Sequence, residues 1–352
     1  MWSAAQWTFT RAQVGGSLHF ASPARETTTS RVVENVALRR VLAPHSRMKA
    51  VRLHEYGGPE NLQYEDDVPD PALDPDSVLV EAWATSVNPI DWKIRSGARQ
   101  KDFPLQLPAI LGMDVSGVVR EVGRNIRTFR PGDRVLAMAD ATYAERVAVK
   151  GSILTHLPDG VDLVDAAAIP LIALTGDQLV RLATKVQPGQ TLLVSGALGS
   201  VGRAAVHVAK KLGADVIAGV RARQLPEAEE LGVAGIVAID DDGAMAGLAQ
   251  VDSVADTVGG ATAAKLLGRV RDGGTFGFAS VLPEGTAEQH PTVTITRVFA
   301  RADASKLREF ADDIRDGTFR LPISRRMPLS QAGKAHALAQ NGGAGKIVLT
   351  CR

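Results

Sequence analysis

Leu192-Leu193-Val194-Ser195 is a short apolar run, and Gly196-Ala197-Leu198-Gly199-Ser200-Val201-Gly202 follows it directly. Three glycines stand three apart, and the next residues, VGRAAVHVAKKLG, carry the pattern of a helix. This is the chemistry of a diphosphate cradle. A glycine at the strand end lets the chain turn sharply, a second lets backbone approach the phosphates, and a third lets the helix pack on the sheet. The free N–H groups and partial positive charge of the helix N-terminus then face the anion. The first interval departs from the GxGxxG fingerprint, and the competing reading is a βα turn whose glycines serve packing alone. An NAD site places Asp or Glu ~20 residues further on for the ribose hydroxyl. Here the strand 216–220 runs into Arg221-Ala222-Arg223, and the first acid is Glu227. Two guanidiniums suit a 2′-phosphate through charge and forked hydrogen bonds. The sequence therefore favours NADP(H) over NAD(H), the alternative being arginines that are merely solvated.

The elements that must hold this loop come in two kinds. From Met48 the chain reads as short β runs and turns: MKAVRLHEYGGPENLQYEDD, SVLVEAWATSV, ILGMDVSGVVREVG, GDRVLAM and TYAERVAV. Near Asp165 the character changes. DAAAIPLIALTGDQLVRLATKV is helical with an interruption at Pro170, and TLLVSG, DVIAGV, GIVAID, VDSVADTVG and TFGFAS are strands separated by helical stretches. Repeated βα implies an α/β, doubly wound parallel sheet. After Arg301 come two helices, SKLREFADDIRDG and QAGKAHALAQNG, and a closing strand KIVLT. We expect this tail to return to the β-rich part. The expected division is 48–171 with 302–352 as one domain and 172–301 as the other.

Composition narrows the function. The chain has 352 residues, two domains' worth, with 40 basic and 39 acidic side chains. A net charge of +1 argues against a general nucleic-acid grip. No apolar run reaches the ~18 residues that span a bilayer. The single cysteine, Cys351, excludes an intrachain disulfide or a thiolate-rich zinc site. Residues 1–47 differ from the rest, with six arginines, no lysine and two acids. That is the composition of an organellar transit peptide or of a translated upstream stretch with the working start at Met48. We favour the second, expect 1–47 to be poorly ordered, and expect a cytoplasmic protein unless the segment is a true import signal.

Several stretches in order, SVNPIDWKIRSG, LPAILGMDVSGVVREVG, FRPGDRV, AAAIPLIALT, SGALGSVG, DTVGG and GKIVL, together resemble the medium-chain dehydrogenase/reductase superfamily in its zinc-independent, quinone oxidoreductase-like branch. The resemblance runs from Met48 to Arg352. It implies a GroES-like β-rich catalytic domain around a Rossmann nucleotide-binding domain, an active site in the cleft between them, and a homodimer joined at a nucleotide-domain edge such as TVTITRVFA (292–300). Zinc-dependent members carry a Cys near the position of Asn88 and Gly-His-Glu where this chain has Gly112-Met113-Asp114, and they carry a four-cysteine lobe. Without such ligands no metal is expected.

The same resemblance nominates side chains. Asn88 stands at the substrate-cleft asparagine, where it could hydrogen-bond the acceptor carbonyl or the nicotinamide ribose, or only form a turn before Pro89. Lys93 could stabilise a developing enolate oxygen, or be a solvated lysine. Tyr56, in a loop that borders the cleft, could donate a proton or be structural. Thr175, Thr257, Val258, Gly259, Ser280, Phe299 and Lys346 are expected around the cofactor, beside Gly196, Ala197, Leu198, Gly199, Ser200, Val201, Gly202, Arg221 and Arg223. The implied activity is NADPH-dependent hydride transfer to a small-molecule quinone or α,β-unsaturated carbonyl compound. The rivals are a non-catalytic NADPH-binding protein on the same scaffold and an enoyl-thioester reductase.

Overall fold

The apolar stretches assemble into three sheets. The computed structural model describes residues 47–342 and 345–352. What was expected of residues 1–47 therefore falls, apart from Arg47, outside the described residues. Strands β1 (Arg47–Leu53), β2 (Leu62–Pro69), β3 (Ser77–Val87), β4 (Ala109–Ile110), β5 (Asp114–Val122), β6 (Arg134–Met138), β7 (Arg146–Lys150) and β8 (Leu154–His156) precede the first long helices. β2, β1 and β4 form a small antiparallel sheet. The larger sheet is centred on β3, whose side chains are nearly all buried because elements cover both of its faces.

Six strands follow: β9 (Thr191–Ser195), β10 (Asp215–Val220), β11 (Gly235–Ala238), β12 (Val251–Asp256), β13 (Val270–Phe278) and β14 (Thr294–Arg297). They lie in the order β11-β10-β9-β12-β13-β14, and every pairing is parallel. This is the Rossmann order, and the strand sequence reverses between β9 and β12, where such sheets bind ligands beyond the strands' carboxyl ends. Alternate residues of β9 feed opposite cores: Leu192 and Val194 pack with Ala204 and Ala205, while Leu193 packs with Val254, Leu266 and Phe276.

The tail supplies β15 (Ile323–Pro328) and β16 (Lys346–Thr350). These extend the sheet to β15-β16-β3-β5-β6-β8, with β7 also paired to β3. β16 runs antiparallel to β3 with Ile347 opposite Val87 and Thr350 opposite Ala84. The chain thus leaves the β-rich sheet, builds the parallel one, and returns. The helix Ala304–Arg315 buries Leu307, Phe310 and Ala311 in the core that also holds Leu192 and Ala204. The strand read over 142–149 begins only at Arg146. Before it, Tyr143 lies across two other segments, accepting Val51 N–H on its carbonyl and donating its own N–H to Leu111.

Candidate active site

The glycine loop is closed on itself. Gly196 has φ of +63°, a conformation that disfavours any side chain. Gly199 donates its N–H to the Gly196 carbonyl at 2.8 Å and caps the helix Ser200–Lys211. A Cβ on Gly202 would press into that same carbonyl oxygen. The space is therefore kept for backbone and for a ligand at the helix N-terminus. A second set of bonds holds the loop against β12. Ser195 Oγ donates to Asp256 Oδ1 at 2.6 Å and accepts Thr257 N–H at 2.9 Å, and Thr257 Oγ1 donates to the Ser195 carbonyl at 2.7 Å. Asp256 Oδ2 accepts Gly259 N–H at 2.9 Å. Burial raises the Asp256 carboxyl above its ordinary range against the pull of these donors. Arg221 and Arg223 stand exposed just beyond the carboxyl end of β10. Cradle, helix terminus and paired guanidiniums suit a dinucleotide with a 2′-phosphate.

A cavity of about 630 Å³ runs from this loop to the β-rich sheet. It brings together Asn88, Lys93, Thr175, Gly199, Ser200, Val201, Thr257, Ser280, Phe299 and Lys346. The volume is that of a ligand site. Ile90, Phe103, Met113, Met138 and Leu171 make much of the lining apolar. Thr175 turns its hydroxyl back to the Leu171 carbonyl at 2.6 Å, an i−4 bond within its own helix. Gly196, Ala197, Leu198, Gly202, Val258 and Gly259 are not among the lining residues but carry or back the loop that is.

The cavity leaves out one candidate, and two others carry bonds that the sequence did not show. Tyr56 is not among the residues lining the cavity, and its hydroxyl accepts Leu105 N–H at 3.1 Å. That bond holds a loop and leaves the O–H proton free, but a hydroxyl outside the cavity lining is not placed to protonate an acceptor there. Asn88 and Lys346 do line the cavity, but their polar ends are bonded to each other and to Asp114. Lys346 Nζ donates to Asn88 Oδ1 at 2.7 Å and lies 3.5 Å from Asp114 Oδ2. Asn88 Nδ2 donates to Asp114 Oδ2 at 2.6 Å. An ammonium only donates and a carboxylate only accepts, so these partners fix the amide's orientation.

Sequence reasoning missed the rest of this network. Asp114 also accepts from the Ser86 hydroxyl and from Leu171 N–H. Asp91 Oδ2 accepts Asn88 N–H at 2.8 Å and the Tyr143 hydroxyl at 3.1 Å. Asp91 Oδ1 has no donor, and burial, joined by the Asp114 charge, pushes this acid up to about 7. Tyr143, since its proton goes to Asp91, accepts from His336 Nε2 at 2.9 Å. Burial and the nearby Arg95 charge lower His336 to about 3, so it is neutral. Burial lowers Lys346, while Asp114 and Asp91 draw it back up. The missed signal was polarity inside apolar strands: Asp114 within ILGMDVSGVV and Lys346 ahead of IVLT. Cys351 is buried, its thiol pushed up to about 12, which makes a poor nucleophile.

This donor set does not fit a tetrahedral zinc centre. Met113 offers a thioether, the Asn88 amide oxygen and the Asp114 carboxylate already share an ammonium, and among the described residues no three His, Cys, Asp or Glu side chains converge.

Comparison with known proteins places the chain. Residues 74–159 match the alcohol dehydrogenase GroES-like domain, and residues 231–349 match a model described as zinc-binding dehydrogenase. The structure of the quinone oxidoreductase from Coxiella burnetii superposes with a TM-score of 0.77, at 28% identity, over 87% of this chain and 100% of that one. Quinone oxidoreductase of Sus scrofa is 35% identical over 172 residues, which are 48% of this chain and 52% of that protein. The chain thus spans about half the length of that curated relative. A mitochondrial NAD(P)H oxidoreductase of Homo sapiens is 32% identical over 262 residues, 66% of each chain. The chain belongs to the medium-chain dehydrogenase/reductase superfamily, in its quinone oxidoreductase-like branch. Its fold is a GroES-like β-rich domain joined to a Rossmann nucleotide-binding domain.

Proposed function

We propose that this chain is a zinc-independent reductase that uses NADPH to reduce a small quinone or an α,β-unsaturated carbonyl compound. In this reading residues 48–171 with 302–352 carry the acceptor side, residues 172–301 carry the cofactor, and the protein works as a homodimer through the β14 edge. One observation carries it: a single cavity joins the glycine loop to Lys93, with much of its lining apolar. The match to oxidoreductases over parts of the chain supports the class.

The loop's N–H groups and the helix N-terminus hold the diphosphate, and Arg221 and Arg223 hold the 2′-phosphate. Thr175, Thr257 and Ser280 flank the path from that loop into the cavity. When bound, NADPH supplies a hydride, which with one proton from solvent converts a quinone to a hydroquinone or an enone to a saturated carbonyl compound and leaves NADP+. Ile90, Phe103, Met113 and Phe299 keep water from the acceptor and orient it. Lys93 Nζ lies 5.4 Å from the centroid of the Trp92 ring. Among the described residues no carboxylate pairs with it. It is the cation available to a developing oxyanion. Burial lowers its pKa first, and the charges of Arg99 and Arg297 lower it further.

The test is cofactor oxidation with NADPH beside NADH, in the presence of a chelator, against a naphthoquinone, an ortho-quinone, a short alkenal and crotonyl-CoA. Chelator-insensitive turnover with NADPH is expected. A preference for NADH would overturn the role of Arg221 and Arg223. Tight NADPH binding with no turnover on any acceptor would favour a binding-only protein.

A further inference from the structure

Lys93 and Arg99 both line the main cavity, and Arg297 lies close enough for its charge to act on Lys93. Arg297 is exposed beside the lining residues; its partial burial and Arg99 disfavour its charge, and Asp102 favours it. Asp102 pairs with Arg99 at 2.9 Å, while Lys93 and Arg297 have no carboxylate partner among the described residues. The Arg297 guanidinium lies 4.3 Å from the Phe299 ring centroid, and that ring faces Phe103 at 6.4 Å with a 59° tilt. One further acid, the exposed Asp140, lines the cavity. Three cations beside two aromatic rings repel one another, and Asp102 and Asp140 are fewer than the charges they face. A negatively charged ligand relieves that repulsion, whereas a neutral one leaves it in place.

We infer that the acceptor is an anion: a conjugated carbonyl compound that lies against Phe103 and Phe299, with its carbonyl oxygen toward Lys93 and its carboxylate, sulfonate or phosphate held by Arg297. This rests on the reductase reading and narrows its substrate class. The charged group is bound and not transformed, so the reaction balance is unchanged.

The test compares 1,4-naphthoquinone with 1,4-naphthoquinone-2-sulfonate, using the full-length chain and NADPH. The ratio of kcat/KM, sulfonate over neutral, is expected to be at least about tenfold at low salt and to shrink as ionic strength rises. Arg297→Gln lowers that ratio about tenfold, and Arg297→Glu takes it below one. A parent ratio at or below one, or a ratio unmoved by both substitutions, overturns the proposal. Crotonyl-CoA beside its neutral N-acetylcysteamine thioester tells a coenzyme phosphate from a small anion. If none of these acceptors is reduced, the reductase reading fails, and the anion site is read separately. Naphthalene-2-sulfonate, but not 2-naphthol, should then bind the NADPH-loaded chain in a competition that Arg297→Gln removes. Equal binding of both would sink the anion site as well.

Discussion

Lys93 and Lys346 line one cavity and have opposite surroundings. Lys346 is buried against Asp114, with side-chain exposures of 3% and 0%, and its ammonium also meets the Asn88 amide. Lys93 is half-buried, and among the described residues no acid answers it. In the sequence both are lysines in motifs of the same family. What separates them is partner count. A buried cation matched to a buried carboxylate holds the sheet together, and a cation left without one is available to a ligand.

Removing the partnered lysine carries the largest expected effect. Lys346→Met removes the only cation paired with Asp114 among the described residues, and should lower the unfolding free energy in urea by about 3–5 kcal/mol. Asp114→Asn combined with Lys346→Met should recover part of that loss. Lys93→Met should leave stability within about 0.5 kcal/mol of the parent. It should instead reduce kcat/KM about a hundredfold, the order found when one oxyanion-stabilising donor is removed. If the two lysine variants lost the same stability, the contrast between them would be gone.

The cofactor end sharpens the contrast at smaller magnitude. Arg221→Ser with Arg223→Ser should weaken NADPH binding about tenfold or more and leave NADH binding unchanged, because charged hydrogen bonds contribute ~1.5–3 kcal/mol. The buried network adds a pH dependence, in which two opposed groups leave a small net effect in the parent chain. Asp91 is raised from 3.8 to about 7, so between those values the folded chain keeps a proton that the unfolded chain has released. Its contribution to stability therefore falls as pH rises. His336 is lowered from 6.5 to about 3, so in that window the unfolded chain takes up a proton that the folded chain refuses. Its contribution rises with pH. From 3.8 to 6.5 the two oppose each other. Tm of Asp91→Asn should climb with pH across this window relative to the parent, and Tm of His336→Gln should fall. Parallel profiles for all three would show that neither group titrates as its burial implies.

The nucleotide side was legible in the sequence because backbone chemistry is local. A loop that must admit a diphosphate needs glycine at fixed spacing, and Gly196, Gly199 and Gly202 lie within one turn and its helix. The split strand pattern likewise revealed the parallel sheet and the return of the tail. The buried network was not legible, because its members are distant in the chain. Lys346 and Asn88 are 258 positions apart, and Tyr143 and His336 are 193 apart. Asn88 and Lys346 were nominated for the ligand because the resemblance aligns them with the cleft, but spacing along a chain does not reveal which polar atoms are already paired. Tyr56 was nominated from a loop that the resemblance places beside the cleft, and it is not among the residues lining the cavity.

The place of β16 in its sheet has a consequence during synthesis. β3 and Asp114 leave the ribosome early, while the strand that completes their sheet and the lysine that neutralises the acid come last, 258 positions after Asn88. At ~5–20 residues per second, translation separates the two by roughly ten to fifty seconds. Through that interval the nascent β-rich half carries an open strand edge, the kind of surface that chaperones cover and that other chains can join. The parallel sheet, whose strands are contiguous in the chain, closes well before it.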